Sequence, residues 1–345
     1  MKKDFNIVKL YFTEPLALMS EKKDEFQNEV LVYPSDTLKG ALVSGLALTG
    51  NENEIARLNE NLKVSSAYPF VNDKYFFPKP MIKLPFVETG KPGENKVFKK
   101  IQFIEKSLFE KVLNSVDIRL TNNNFIHSGK FIVENKENYP DKIYESQTEE
   151  RVSIGNTNVF AEAEKGSPFY VSRTYFEHTE NYKAGLYFVY EADEESNSLL
   201  KRALEVLQDE GIGADRRIGN GRFIFEFTKI DLNIPEKANK QMLLSKYIPT
   251  KEEIENGLLD KASYNLSKRG GYLAGTSREQ FAHYSKRDIY LIDEASVFDV
   301  SANIQGKIVD LLDEANRNEI KHPVWREGRP VVIQLLSDEN YENNG

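Results

Sequence analysis

An α+β fold is predicted by three observations: apolar strand-like runs, a helical stretch with one apolar face before Gly211, and a glycine-rich loop joining that helix to a strand of alternating phenylalanines. The 345 residues, 40% of them hydrophobic, suffice for two compact domains or one elaborated one.

In chain order, Phe5-Asn6-Ile7-Val8-Lys9-Leu10-Tyr11-Phe12 is a short apolar-rich run and reads as a largely buried strand. The polar stretch from Ser20 to Asn28 reads as a loop. Tyr33-Pro34-Ser35-Asp36-Thr37 then precedes Leu38, Ala41, Leu42, Gly45, Leu46 and Leu48 at helical spacing, closed by Gly50. Ser35 or Asp36 is the expected N-cap, because either side-chain oxygen can accept an orphan amide hydrogen of the first turn. Between residues 63 and 104, Pro69, Pro78, Pro80, Pro85 and Pro92 interrupt short apolar runs, so irregular extended structure is expected there. Asn122-Asn123-Asn124 and the polar stretch from Glu134 to Glu150 read as exposed loops, and residues 156–168 as a long hairpin or mobile finger.

The pattern sharpens from Gly185. Leu186-Tyr187-Phe188-Val189-Tyr190 is aromatic and β-branched, hence strand. Ser198 to Glu210 carries Leu200, Ala203, Leu204 and Leu207 on one face, hence helix, and Gly211 stands where a left-handed C-cap is expected. After the loop, Phe223, Phe225 and Phe227 alternate with Ile224, Glu226 and Thr228 at the period of a strand. Strand, helix, glycine-rich loop and strand make the closing half of a ferredoxin-like βαββαβ domain, and the opening strand and helix supply the other half. Residues 1–232 are assigned to this domain with insertions, and 233–345 to a second, smaller α+β domain. In the latter, Thr250 and Glu253 have capping-box spacing. Strand-like runs follow at Asp288–Ile292, Ser296–Phe298, Gly306–Val309 and Pro330–Leu335.

Cysteine is absent, which excludes a disulfide framework, thiolate metal sites and a cysteine nucleophile. The N-terminus shows no signal-peptide core, and no apolar run approaches the roughly 20 residues that span a bilayer. A cytoplasmic chain with no membrane partner is expected. The formal net charge of −8 disfavours a lone nucleic-acid binder, since phosphate prefers a positive field. The charges are segregated, however: acidic residues gather at Asp193-Glu194-Glu195, Glu252-Glu253 and the tail, lysines at Lys79, Lys83, Lys91, Lys96, Lys99 and Lys100. Such polarity suits one RNA face and other faces for protein or water; a scattered, solvated lysine surface is the alternative.

His127, His178, His283 and His322 are dispersed, and none has the spacing that places two rings on one metal. No nucleophile elbow is present. The loop Gly211-Ile212-Gly213-Ala214-Asp215-Arg216-Arg217-Ile218-Gly219-Asn220-Gly221-Arg222-Phe223 lacks the Gly-Lys-Ser/Thr of a P-loop, and it follows a helix and precedes a strand, which also excludes the dinucleotide-binding context. It offers glycine backbone, free amides and three guanidiniums whose planar forks match phosphate oxygens. A sugar-phosphate strand is its natural ligand; by composition alone an ordinary glycine-rich turn with solvated arginines stays open. Glycine and basic residues recur together in Lys268-Arg269-Gly270-Gly271-Tyr272 and His322-Pro323-Val324-Trp325-Arg326-Glu327-Gly328-Arg329, where aromatic and guanidinium planes could stack unpaired bases or simply pack.

Taken in order and spacing, these segments resemble the RAMP superfamily of CRISPR proteins, defined by a glycine-rich loop between the last helix and last strand of a ferredoxin-like domain. The likeness is to the Csm subunit four family. It is carried by Tyr33–Leu38, Phe77-Pro78-Lys79-Pro80, Lys99–Ile104, Glu150-Arg151-Val152-Ser153-Ile154, the Gly211–Phe223 loop, Lys268–Tyr272, Ser296–Phe298 and His322–Pro330. The resemblance implies a non-catalytic subunit, with no cofactor or metal, of a type III-A CRISPR interference complex in antiviral defence. It would hold the 5′ handle of the guide RNA (crRNA), dock on the large polymerase-like subunit and contact the first backbone RAMP subunit. The implied RNA contacts are Ser35, Thr37 and Lys39 at the first helix, whose amides favour an anion, with Arg151, Arg216, Arg217, Asn220 and Arg222. Lys79, Lys83, Lys99 and Lys100 follow, and Arg269, Arg326 and Arg329 would serve RNA or a protein partner. Similar proteins continue the Arg-Val-Ser-Ile segment with Asp-Arg and a threonine; here Gly155-Asn156-Thr157-Asn158 stands instead, leaving Asn156 as the hydrogen-bonding candidate.

Three rival readings follow from the same residues. A related RAMP endoribonuclease would direct a 2′-hydroxyl onto the adjacent phosphate using a histidine, tyrosine or lysine, and would need His127 or His178 near the glycine-rich loop. A protein-interaction subunit that never touches RNA fits the acidic pI. The equivalent subunit of another type III subtype would share every feature above.

Overall fold

The computed structural model describes residues 1–20, 31–87, 93–152, 168–271, 273 and 284–337. In chain order, β1 (Lys2–Phe12) and β2 (Leu16–Ser20) precede helices α1 (Ser35–Ala47) and α2 (Glu52–Asn61). Next come β3 (Lys63–Val64), β4 (Tyr68–Val71), β5 (Lys74–Pro78), α3 (Glu94–Lys100), β6 (Phe103–Glu105), α4 (Lys106–Leu113), β7 (Phe125–Ile126) and β8 (Phe131–Ile132). The hairpin β9 (Tyr144–Val152) and β10 (Pro168–Phe176) leads to β11 (Ala184–Glu191), α5 (Glu194–Glu210) and β12 (Phe223–Asn233). The C-terminal region holds β13 (Lys240–Leu243), α6 (Lys251–Glu255), β14 (Leu266–Arg269), β15 (Ile289–Ile292), β16 (Val297–Asp299), β17 (Val309–Asp310), β18 (Trp325–Arg326) and β19 (Val332–Leu335).

Four antiparallel strands in the order β12–β1–β11–β4 make the centre of the large sheet. With α1 after β1 and α5 after β11, this is the ferredoxin-like arrangement expected from the sequence. The two helices pack closely: a Cβ on Gly45 would stand 2.7 Å from Leu207 Cγ. Leu200, Ala203, Leu204 and Leu207 of α5 and Leu38, Leu42 and Leu46 of α1 are all buried. The sheet continues from β4 through β5, β6, β8 and β7, with β6 and β8 parallel.

The β1–β12 register places the glycine-rich loop. Eleven residue pairs run from Lys2–Asn233 to Phe12–Phe223, so the chain leaving α5 must reach β12 at the C-terminal end of β1. The Phe12 ring there stacks on Phe176 at 5.0 Å. That corner also carries the β1–β2 turn, which becomes the floor of the loop.

Several local expectations are corrected. Proline-rich residues 63–104 contain β4 and β5, with Pro69 inside one and Pro78 at the end of the other, and the short helix α3. The stretch 134–150, expected as loop, contains the first seven residues of β9. Helix α5 starts a turn before Ser198, because Asp193 caps it by accepting the Ser196 amide (2.7 Å). Gly211 caps α5 with positive φ but an extended ψ (78°, 165°), outside the left-handed helical well. The capping box of Thr250 and Glu253 forms as the spacing requires. Residues 156–167 of the expected finger lie outside the described residues.

The C-terminal region is a smaller α+β unit in which β13 runs between β16 and β19. Met242, Leu244, Val297, Ile333 and Leu335 join the core of the large sheet, while Leu243, Tyr247, Leu258, Ile292 and Phe298 form a satellite cluster. Strand β13 is buried on both faces, which is why Met242-Leu243-Leu244 shows no polar alternation. Strand β12 ends at Asn233, one residue past the last residue assigned to the first domain.

Candidate nucleic-acid interface

The loop between α5 and β12 is a rigid double crossing of the backbone. The Ile212 amide donates to the Gly221 carbonyl (3.0 Å), and the loop is tied to its floor by Gly221 N–H to Pro15 O (2.9 Å) and Ala214 N–H to Ala17 O (2.7 Å). At Gly221, φ is +77° and a Cβ would stand 1.9 Å from the Ile212 carbonyl oxygen, so only glycine fits. The glycine chemistry read as close approach to a ligand is here close approach of the loop to itself. Gly219 is different: φ is +96° and nothing lies within 4 Å of its Cβ position.

Between these glycines, Arg216–Ile218 forms a 3-10 turn that is presented outward, with Arg217 and Ile218 exposed. Among the described residues no carboxylate pairs with Arg216 or Arg217. Arg222 is exposed and fixed by its Nε donating to the Asp209 carbonyl (2.9 Å). Asn220 is buried, and its Nδ2 has no hydrogen-bond partner among the described residues. A buried donor left unmade costs about 1–3 kcal/mol, so this amide is a reason for the loop to take a ligand.

The loop is braced by a charge network that sequence reading missed apart from Arg151. Asp215, held in the left-handed conformation (φ 56°), accepts from Arg151 Nη1 (2.8 Å) and Arg173 Nη2 (3.1 Å). Glu149 pairs with the same two guanidiniums, at 2.7 Å to Arg173 and 3.3 Å to Arg151. Strands β9 and β10 are thereby clamped to the loop. Arg151 lies beside the loop as expected, but its charge is spent on Asp215 and Glu149.

Helix α1 begins beneath the loop. The Tyr33 phenol is pushed up to about 12 by burial, against the lowering influence of the Gly213 amide, within the fields of Arg216, Asp36 and Arg269. The N-cap is Pro34, without a side-chain cap, and not Ser35 or Asp36. Ser35 is fully buried: its amide donates to Ser66 Oγ (3.0 Å) and its Oγ accepts the Lys246 amide (2.8 Å). Asp36 is the hub of a buried ion cluster, its Oδ2 taking Arg326 Nη1 and, at 3.4 Å, Arg269 Nε. Burial works against its charge, yet Arg269 and Arg326 hold its pKa below the ordinary range. Lys286, also missed, faces this cluster and is lowered to about 8 by burial and by Arg326. Thr37 accepts a hydrogen bond from Arg269 Nη2 (2.7 Å); both are partly exposed.

Four candidates are therefore corrected. Ser35, Lys39 and Arg326 lie inside the protein, and Arg329 is consumed nearby. Lys39 Nζ donates to the Leu58 carbonyl (2.8 Å) and the Leu62 carbonyl, and Arg329 donates to the carbonyls of Asn59 (2.7 Å), Glu60 and Leu62 (3.1 Å). These carbonyls lie at the C-terminus of α2, where that of Leu58 also accepts the Leu62 amide (3.1 Å), and two cations are a favourable cap for the negative end of a helix. Glu327 balances the charge, at 2.7 Å from Arg329 and 3.9 Å from Lys39. Burial lowers Lys39 to about 7, against the pull of Glu327. The glycine-basic segment at 322–330 is thus a fastener between the C-terminal region and α1–α2.

The lysine group stands apart from the loop. Lys79 follows β5, four strands from β12, or roughly 19 Å at the usual strand spacing. Its Nζ donates to the Phe98 carbonyl (3.2 Å), while Lys83, Lys99 and Lys100 are exposed. Asn156 and His283 lie outside the described residues. His127 is at the far edge of the sheet, beside β7. His178 is close to the loop: its Nε2 is 3.1 Å from the Phe12 carbonyl, one residue from the Thr13–Arg222 backbone bond (3.0 Å). Among the described residues no cluster of three metal-ligating side chains exists, and no helix is long and apolar enough to cross a membrane.

Residues 20–224 match the model of the RAMP superfamily, and residues 236–335 that of the CRISPR Csm4 C-terminal domain. The chain is 24% identical to the CRISPR system Cms protein Csm4 of Methanocaldococcus jannaschii, covering 88% of this chain and 90% of the relative. It is 25% identical to the protein so named in Thermococcus onnurineus, over 68% and 76%. Among solved structures, a Csm3–Csm4 subcomplex of the type III-A CRISPR-Cas interference complex aligns with a TM-score of 0.62 at 18% identity, over 96% of this chain and 100% of that one. A Csm1–Csm4 cassette in complex with pppApA aligns at 0.60 and 18%, over 98% and 100%.

Proposed function

This chain belongs to the RAMP superfamily and carries a Csm4-type C-terminal domain, and from that premise we propose that it is a non-catalytic subunit of a type III-A CRISPR interference complex that grips the 5′ handle of the guide RNA. The observation that carries the reading is the braced loop with Arg217 and Arg222 exposed and Arg216 half-buried beside them, around an Asn220 amide that has no hydrogen-bond partner among the described residues. Arginine forks on an immobile backbone suit phosphate oxygens, and their order is prepaid by the hydrogen bonds to Pro15 and Ala17. Thr37, Arg269 and Lys286 extend the same corner, and Lys83, Lys99 and Lys100 form a second basic surface. The negative net charge is compatible with RNA held in a groove to which partners contribute.

The proposed partners are the large polymerase-like subunit and the backbone RAMP subunit, since the related Csm4 chains were solved with Csm1 and with Csm3. Residues 1–232 would carry the RNA grip, and 233–345 would fasten it through Asp36 and the α2 cap. Replacing Arg216, Arg217 and Arg222 together with alanine should release guide RNA from the purified complex; unchanged RNA content and handle protection would refute the reading. One observation favours a second reading: His178 stands near the loop exit. As an endoribonuclease the protein would cut repeat RNA in EDTA and lose that activity on His178→Ala, whereas the scaffold reading expects intact RNA.

A further inference from the structure

A cavity of about 300 Å³ lies between the β7–β8 turn and the root of the β9–β10 hairpin. Its walls include His127, Lys130, Lys142, Ser146, Ser172 and Thr174. We propose that it is a second subsite for the guide RNA, receiving one nucleotide of the same strand that crosses the arginine loop; this rests on the RNA-binding reading above.

Four features point to a nucleotide. The volume is at the small end of the roughly 300–1,000 Å³ typical of ligand pockets, and suits one nucleotide unit. The polar groups are hydroxyls and ammoniums, which recognise ribose and phosphate: Ser146 Oγ and Thr174 Oγ1 are 3.0 Å apart, Ser172 and Thr174 are buried, and two lysines flank them. One carboxylate, Glu145, lines the cavity, 3.9 Å from Lys142. The turn at its rim is held in a costly shape, with His127, Ser128 and Gly129 all at positive φ (50°, 58° and 86°). That shape seats the His127 ring on Tyr144 (4.3 Å between centroids) and lets its Nδ1 accept the Ile143 amide (3.3 Å). The neutral ring then carries its proton on Nε2 as a hydrogen-bond donor.

The location argues for a polymeric ligand. Side chains alternate across a strand, so Ser172 and Thr174 face away from Arg173, which bonds Asp215 of the arginine loop. The hairpin root is therefore a wall with the loop on one side and the cavity on the other. Beyond the cavity, the Lys130 carbonyl accepts the Gln102 and Phe103 amides, two and three residues past the exposed Lys99 and Lys100 pair. Basic groups thus stand on both sides of the cavity, as a single polyanionic strand requires.

The test is photocrosslinking in the assembled complex, with guide RNA carrying 4-thiouridine at successive positions and mass-spectrometric mapping of the peptides. A crosslink to residues 125–146 is expected at one nucleotide, distinct from the one that crosslinks to residues 211–223. Thr174→Val and, separately, Lys142→Ala should lower its yield by about two- to tenfold, the worth of one lost contact, and leave the loop crosslink intact. Thr174→Val removes one hydroxyl at constant shape, and melting of the variant checks its fold. Crosslinks confined to 211–223, or yields at 125–146 unmoved by both variants, would overturn the proposal. A crosslink to 125–146 without one to the loop would uphold the cavity and sink the arginine-loop reading, and crosslinks to neither would sink both.

Discussion

Asp36→Asn should be among the most destabilising isosteric changes in this chain. The Asp36 side chain is fully buried, and that of its partner Arg326 is 8% exposed. The substitution keeps the shape and removes the only carboxylate on that guanidinium among the described residues, where its other bond is a 3.3 Å contact to the Gly270 carbonyl. An uncompensated buried cation costs about 3–5 kcal/mol. Arg269 adds little to this figure, because its side chain is 31% exposed and can turn to water. Urea unfolding at neutral pH measures the loss. In a double-mutant cycle, Asp36→Asn with Arg326→Met should recover about 2 kcal/mol or more, since no charge is then stranded. The sign with pH follows from the depressed pKa of Asp36: its contribution is complete above the unfolded value near 3.8 and is lost as pH falls through the lower folded value. A loss below about 1 kcal/mol with no coupling would refute the reasoning, and with it the view that 322–330 is a fastener.

Other outcomes follow from the same geometry. Gly219→Ala should cost about 1–2 kcal/mol, the left-handed penalty alone, while Gly221→Ala should cost several more because its Cβ collides with the Ile212 carbonyl; equal melting of the two variants would contradict this. His127 is lowered to about 4 by burial and the nearby lysines, so stability is full above about 6.5 and falls by about 1–3 kcal/mol as pH drops toward 4; His127→Gln should flatten that limb in pH-dependent unfolding. Removing Arg216 or Arg217 singly should reduce the salt dependence of RNA binding by about one unit of log–log slope, measured by filter binding across a salt series.

The fold was legible where periodicity and packing agree. The alternating phenylalanines of β12 and the apolar face of α5 placed the glycine-rich loop correctly, because loop, helix and strand are contiguous in sequence. Helix α2 was missed because its ten residues are mostly polar and only the capping pair Asn51 and Glu54 announces it. The site was legible in the residues that point outward and illegible in those that point inward. Arg217 and Arg326 look alike in a sequence; one is exposed and the other faces Asp36, 290 positions away from it. Lys39 and Arg329 show the same limit, since the helix end they cap is defined only when the chain has folded. Arg173 and Glu149 carried no motif, and only the register of β9 on β10 brings them together beneath Asp215 of the loop.

The most direct test is nuclease-protection mapping of the guide RNA in complexes assembled with and without this subunit. The account predicts that the 5′ handle is shielded only when the subunit is present, and that the Arg216, Arg217 and Arg222 triple-alanine variant leaves it open to digestion. A handle equally protected in all three preparations would contradict it.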